Sequence, residues 1–202
     1  MDIPCDVGEI LWDLLRKSDA GFAMICAGRG KKGSFIPEPG WQQRLTEADA
    51  AGMAAGVYHR LGAEDTAQAL SEAEGFLRCI TPYREKIRLW VCCRAERELF
   101  ADPGRAQGTV YAFLRRVQAA GFSPMLGAPP ELLRILADNG RSFPLWLMYW
   151  NVPEYRAMQF CPRIWQYDSG FLSGIGRRIP LNRGYFGSIQ NGLYNRERRD
   201  MV

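Results

Sequence analysis

Residues 165–182 contain the most informative stretch of the chain, which reads Trp165-Gln166-Tyr167-Asp168-Ser169-Gly170, then Gly174-Ile175-Gly176, then Ile179-Pro180-Leu181-Asn182. The apolar run at 162–167 predicts a strand. The glycines that come after it are typical of a turn. Pro180 brings no backbone N–H donor to the segment beyond that turn. The stretch therefore predicts a strand followed by a glycine-rich turn.

Length and composition indicate one globular domain. A chain of 202 residues can bury a sizeable core, and 47% hydrophobic with 24% charged residues are ordinary globular values. No apolar run approaches the ~20 residues that span a bilayer, so we expect no membrane association. The first six residues lack the basic and apolar regions of a signal peptide, which predicts a cytoplasmic protein as encoded.

Cysteine and histidine usage argues against a metal site or a cofactor. The six cysteines show no Cys-x-x-Cys spacing and predict buried free thiols rather than disulfides or a zinc framework. His59 is the single histidine, so a histidine metal cluster is excluded. The net charge of +4 comes with no basic-aromatic module, and we therefore expect no nucleic-acid partner.

Short apolar runs alternate with longer segments of helical period, which predicts βα units and a mainly parallel sheet. The predicted strands are 21–27, 55–59, 88–93, 123–127, 144–149 and 162–167. The predicted helices are 9–18, 41–52, 64–78, 106–120 and 130–138. The glycine-rich segment 28–34 follows a strand, but Ser34 stands where a phosphate-binding loop needs lysine, so we expect a solvated basic loop.

The closing stretch resembles the family 25 glycoside hydrolases, the lysozyme-type muramidases, whose pattern there is Trp-Gln-Tyr, a glycine-rich turn, then Val-Asp-Leu-Asn. Further motifs extend the resemblance, in the family's order, over nearly the whole chain. They are Asp2 with Gly8 and Trp12, the strand 21–27, Glu38-Pro39-Gly40-Trp41, Gly56-Val57-Tyr58-His59 and Pro144-Leu145-Trp146-Leu147.

The resemblance implies an α/β fold, an irregular (β/α) barrel of the family 25 lysozyme type, formed as a single domain over residues 1–202. Its working groups would lie at the C-terminal ends of the strands. It also implies peptidoglycan or a related glycan as partner, with a protein partner or a homo-oligomer left open. If the chain derives from a phage, the protein would be released by lysis.

Cleavage of a glycosidic bond needs a carboxylic acid and a second supporting group on opposite sides of the bond. The resemblance implies an Asp-x-Glu at the end of the fourth strand and further aspartates on the first and closing strands. Strand alternation places Cys92, Arg94 and Glu96 on one face, which leaves two registers open. Either Arg94 replaces Asp and Glu96 keeps the Glu, or Cys92 and Arg94 replace both acids.

Asp2 and Glu96 are thus the catalytic candidates, whereas Pro180 stands where the family has an acid and Cys26 replaces its lysine. The alternative for Asp2 is a surface acid, and for Glu96 a solvated residue in a charged run. The positive charge of Arg94 would favour the ionised form of Glu96 and make it a poorer proton donor.

The predicted substrate-binding residues combine aromatic rings and polar groups near strand ends. They are His59, Arg94, Trp150, Tyr167 and Asn182. A satisfied structural histidine is the competing interpretation of His59, and a place in the core is the competing interpretation of each aromatic ring.

Three functions are compatible with these residues. The first is a muramidase-like domain directed at peptidoglycan-type glycan with impaired or lost hydrolase activity. The second is an active phage- or bacterium-derived muramidase with Glu96 as general acid and Asp2 as electrostatic support. The third is a structural or assembly protein that reuses the barrel.

Overall fold

The computed structural model describes residues 1–4, 7–18, 20–100 and 102–185. Within them the strands are β1 (Asp2–Ile3), β2 (Phe22–Lys31), β3 (Ser34–Pro37), β4 (Ala54–Arg60), β5 (Val91–Arg94), β6 (Pro124–Ala128), β7 (Leu145–Met148), β8 (Ile164–Gly170) and β9 (Ile179–Gly184). The α-helices are α1 (Trp12–Lys17), α2 (Trp41–Ala50), α3 (Thr66–Ile80), α4 (Pro103–Ala119), α5 (Pro130–Leu133) and α6 (Glu154–Met158). Two 3₁₀ turns cover Thr81–Lys86 and Arg97–Leu99.

The strands form one sheet in the order β1-β2-β4-β5-β6-β7-β8-β9, and β3 pairs with β2 as an outer hairpin. The β2–β3 and β8–β9 pairs are antiparallel, and the other pairings are parallel. The two ends of the order meet, because β1 lies against β9. The result is the nearly closed, mainly parallel barrel that the sequence predicts. The prediction that the domain extends to residue 202 reaches beyond the described residues.

Alternation along the strands separates two apolar layers. Inside the barrel lie Met24, Tyr58, Trp90, Cys92, Met125, Trp146 and Ile164, among others. The opposite face carries residues such as Ile25, Val57 and Leu147, which pack against the helices. Gly56 is needed on the inner face because a Cβ there would lie 2.6 Å from the Trp90 carbonyl oxygen.

The helical and strand periods predicted β2, β4 to β8 and α1 to α5, with ends that differ by a few residues. They did not predict β3 or α6, which are short, and the first and closing strands, β1 and β9, were expected only from the family resemblance. The expectation of a solvated loop at 28–34 is wrong: Gly28 to Lys31 continue β2, and only Lys32 and Gly33 form the turn into β3.

The described cysteines are free, as predicted, but not all of them are buried. Cys26, Cys92 and Cys93 are buried, Cys79 is half-buried and Cys161 is exposed, while Cys5 lies outside the described residues. None of the helices in the described ranges is long and apolar enough to cross a membrane.

Candidate active site at the barrel mouth

Four polar or aromatic side chains meet where the parallel strands end. Asp2 lies on β1, Arg94 ends β5, Gln166 lies on β8, and Trp150 follows β7. Strand alternation turns Asp2, Arg94 and Gln166 toward the barrel interior, on the same side as Cys92 and Trp146. The mouth of the barrel is therefore a polar cluster above an apolar interior.

Asp2 is at the centre of this cluster and is only 1% exposed, so it is not a surface acid. Its Oδ2 atom accepts hydrogen bonds from Gln166 Nε2 at 3.0 Å and from Arg94 Nη1 at 3.3 Å. Its Oδ1 atom is buried and has no hydrogen-bond partner among the described residues. Burial raises the pKa of this carboxyl, and Arg94, Tyr58 and Gln166 offset only part of the effect.

Arg94 connects Asp2 to Glu96. While Nη1 reaches Asp2, Nε donates to Glu96 Oε1 at 3.3 Å. Burial disfavours the charge of Arg94, but the carboxylates of Asp2 and Glu96 and the neighbouring Tyr58 outweigh it and raise the pKa of the guanidinium. The centre of the mouth therefore carries a permanent positive charge.

The end of β5, the fourth strand in the order of the sheet, contributes to the site. The strand ends at Arg94, with Cys92 one layer deeper in the barrel and Glu96 two residues beyond the strand. The side chain of Glu96 is 48% exposed. Asp2 and Glu96 thus differ in burial but contact the same guanidinium.

Gln166 was not among the predicted site residues. Its amide is fully buried, donates to Asp2 and accepts a hydrogen bond from Trp150 Nε1 at 3.2 Å. Trp150 is 38% exposed, which leaves part of its ring available at the mouth. The signal for Gln166 was present in the sequence, because alternation from Ile164 places it on the inner face of β8.

Asn182 and Tyr167 occupy different sides of the closing strands. Asn182 Oδ1 accepts a hydrogen bond from Trp146 Nε1 at 2.9 Å, and its Nδ2 is buried with no partner in the described part of the chain. Tyr167 has the opposite parity to Gln166 and packs with Trp165, at 5.4 Å between ring centroids. Asn182 belongs to the interior below the mouth, whereas Tyr167 faces outward.

His59 also lies away from the mouth. It follows the inward Tyr58 on β4, so its ring points to the helix side, where it stacks on Phe113 at 5.0 Å. It is fully buried, and Nε2 donates to Glu72 Oε2 at 2.8 Å. Burial lowers the pKa of His59, and the bond to Glu72 opposes this only in part. A ring with no exposed surface has no contact route to a glycan, and the geometry favours the structural interpretation.

The mouth holds two carboxylates, a guanidinium, an amide and an indole, which are groups that bind a saccharide and could act on it. Within the described residues no group of histidine, cysteine and acidic side chains has the geometry of a metal site. Hydrogen bonding and ring stacking are the interactions that the observed side chains offer to a ligand.

Comparison with solved structures gives close matches to the whole barrel. The CTP1L endolysin is 25% identical, with a TM-score of 0.76 over 91% of this chain and 65% of that one. A family 25 glycosyl hydrolase from Bacillus anthracis is 22% identical, with a TM-score of 0.74 over 93% of this chain and 88% of that one. The autolysin LytC from Streptococcus pneumoniae, in complex with a synthetic peptidoglycan ligand, is 18% identical, with a TM-score of 0.77 over 92% of this chain.

The chain spans about two thirds of the endolysin and 46% of LytC. No curated protein matches its sequence. The sequence profile described as glycosyl hydrolases family 25 matches residues 1–175, which include β1 to β8 and the mouth residues Asp2, Arg94, Glu96, Trp150 and Gln166. The barrel and this match agree, and the chain belongs to glycosyl hydrolase family 25.

Proposed function

We propose that this protein binds peptidoglycan-type glycan at the barrel mouth and hydrolyses it weakly or not at all. The observation that carries the proposal is the Arg94 guanidinium, which contacts the carboxylates of both Asp2 and Glu96 at 3.3 Å. These are the two acidic side chains that a hydrolytic mechanism would have to use here.

The chemistry explains why this contact matters. A general acid must present a protonated oxygen to the leaving group, and a guanidinium N–H that donates to that oxygen occupies the place of the proton. Arg94 holds its charge because its pKa is raised further by its acidic neighbours. Its Nε atom also donates a hydrogen bond to Glu96 Oε1, an oxygen from which a proton would be donated.

Support for glycan binding comes from the groups that remain free for contact. The Trp150 ring is 38% exposed beside the polar cluster, and an aromatic face next to hydrogen-bonding groups suits a pyranose ring. Family membership gives the substrate class, and the LytC relative was solved with a peptidoglycan ligand. Release by cell lysis, as for an endolysin, is the compatible route to that substrate.

A paired assay tests the proposal. Purified protein should cosediment with peptidoglycan sacculi but should not clear a sacculus suspension, and Trp150→Ala should reduce cosedimentation about tenfold. Tyr155→Ala, which removes a more exposed ring on α6, is the matched control and should bind as the wild type does. Clearing by the wild type that is abolished by Glu96→Gln, with Glu98→Gln unaffected, would contradict the loss of activity.

An active muramidase remains the second candidate, because Asp2 and Glu96 are held on the same side of the barrel by one guanidinium. In that case Glu96 is the general acid and Asp2 supports the developing positive charge.

The assembly function would depend on exposed apolar side chains such as Leu11, Leu14 and Phe171. A concentration-dependent oligomer seen by sedimentation, lost in Phe171→Ser, would favour it.

A further inference from the structure

A chain of three side chains leads from the surface of the mouth to the barrel interior. The exposed Trp150 donates from Nε1 to Gln166 Oε1 at 3.2 Å, and Gln166 donates from Nε2 to Asp2 Oδ2 at 3.0 Å. Trp150 is 38% exposed, whereas Gln166 and Asp2 are buried. An exposed ring is thereby connected, through Gln166, to a carboxyl to which it does not hydrogen-bond.

The direction of these bonds follows from the chemistry of the groups. An indole N–H can only donate, so the atom of Gln166 that faces Trp150 must be its oxygen. The amide nitrogen then faces Asp2, where its N–H favours a carboxylate. Without the indole donor the amide is free to turn over and place its oxygen against Asp2, which disfavours the charge.

We infer that Gln166 is a positioning residue that ties the exposed Trp150 indole to the buried Asp2 carboxyl, so that contact of a saccharide with the ring is coupled to the charge of Asp2. The coupling itself depends only on the observed bonds. Its meaning for a saccharide rests on the function proposed above.

The surroundings of Asp2 make Gln166 the adjustable contact. The other charged or titratable groups that act on the carboxyl are Tyr58 on β4, Cys92 and Arg94 on β5, the amine of Met1, and Glu96 through Arg94. Among the described residues, Trp150 hydrogen-bonds to Gln166 and to none of these groups. Burial raises the pKa of Asp2, and the Gln166 amide is one of the contacts that lower it.

The test is a titration of the Asp2 carboxyl by ¹³C NMR on the full chain without glycan. Gln166→Met removes the donor to Asp2, and Trp150→Phe keeps a ring while removing the N–H that orients Gln166. Each variant should raise the titration midpoint by about one pH unit, the usual scale of one hydrogen bond to a carboxylate. The double variant should show the shift of Gln166→Met alone, and Gln159→Met, an exposed glutamine change, should show none.

The Trp150→Phe result decides the inference, because that change removes no hydrogen bond to Asp2 itself. A midpoint equal to the wild type, or a double-variant shift equal to the sum of the two single shifts, would overturn it. If Gln166→Met does not fold, Trp150→Phe still gives the answer from a partly exposed position.

The glycan arm uses N-acetylglucosamine tetramer and calorimetry at pH 5 and pH 7. The wild-type Kd should change with pH, and the change should be at least threefold smaller in Trp150→Phe. A Kd with the same pH dependence in both proteins would overturn the link to saccharide contact. If the tetramer and sacculi both fail to bind while the NMR coupling persists, the proposed function fails and the positioning role of Gln166 stands.

Discussion

The barrel holds two buried acid clusters that use similar chemistry in opposite settings. At the mouth, Asp2 meets Arg94 and Gln166, and the cluster opens to solvent through Glu96 and Trp150. On the helix side, Glu72 is fully buried and accepts from His59 Nε2 at 2.8 Å, Gly62 N at 3.1 Å and Gly33 N at 3.2 Å.

The difference lies in access and in what each cluster joins. Glu72 connects α3 to the β2–β3 turn and to the chain after β4, and the rings of Phe76 and Phe113 close over His59. Asp2 connects strands across the closing seam of the barrel and leaves its Oδ1 atom without a partner in the described residues. A satisfied carboxylate sealed behind aromatic rings stabilises the fold, whereas a buried carboxylate with spare hydrogen-bonding capacity, next to exposed groups, is a candidate to bind a ligand.

The largest expected effect is on the sealed cluster. Glu72→Ala leaves the buried His59 ring and two half-buried backbone N–H groups without their acceptor, and should lower the free energy of unfolding by about 3–5 kcal/mol. Urea denaturation followed by circular dichroism measures this. Glu74→Ala, two residues further along α3 and with a side chain 44% exposed, removes only a partly exposed ion pair with Arg116, should cost much less, and is the control. Equal losses in the two variants would show that the Glu72 contacts do not hold the hairpin.

The second largest effect is expected on the rate of peptidoglycan hydrolysis when Arg94 at the barrel mouth is replaced. Arg94→Asp removes the cation and places a third carboxyl beside Asp2 and Glu96, which favours the protonated form of one of them. If Arg94 is what suppresses hydrolysis, release of reducing ends from peptidoglycan should rise about a hundredfold, the lower range for a working general acid. Arg105→Asp makes the same charge change at a side chain that is 72% exposed and should change nothing. Equal rates in both variants would remove Arg94 as the cause.

The same two clusters show what the sequence could and could not reveal. Strand alternation brought Arg94 and Glu96 to one face, and the family resemblance added Asp2, so the site residues were named before their contacts were known. Gln166 was missed because pattern reasoning favours charged and aromatic residues over a buried amide. The environment of His59 follows from its neighbour, since Tyr58 is inward and the next residue must face the helices. The Glu72 partner depends on tertiary packing of α3 and could not be read from spacing.

A smaller effect distinguishes the clusters by pH. The pKa of Asp2 is raised by burial, so the folded state binds its proton more tightly than the unfolded chain does. The stability from this group is present below the unfolded pKa, near 4, and is lost as the pH rises through the folded pKa. Relative to wild type, Asp2→Asn should therefore gain on the order of 1 kcal/mol in free energy of unfolding between pH 4 and pH 7. Asp13→Asn, on the exposed face of α1, should show no such gain, and a relative loss for Asp2→Asn would reverse the sign assigned to Asp2.

The smallest expected effect is on the pKa of His59, and its titration checks whether the Glu72 cluster is sealed from solvent. Burial lowers the pKa of His59 while Glu72 pulls it upward, and burial prevails. Because the folded state resists protonation, the stability due to His59 is present above the unfolded pKa of about 6.5 and is lost as the pH falls below it. His59 is the only histidine, so its ring proton can be followed by NMR without assignment, and its midpoint should lie below 6.5. A midpoint at or above that value would mean that the Glu72 charge outweighs burial, and that the two clusters are more alike in their electrostatics than their access to solvent indicates.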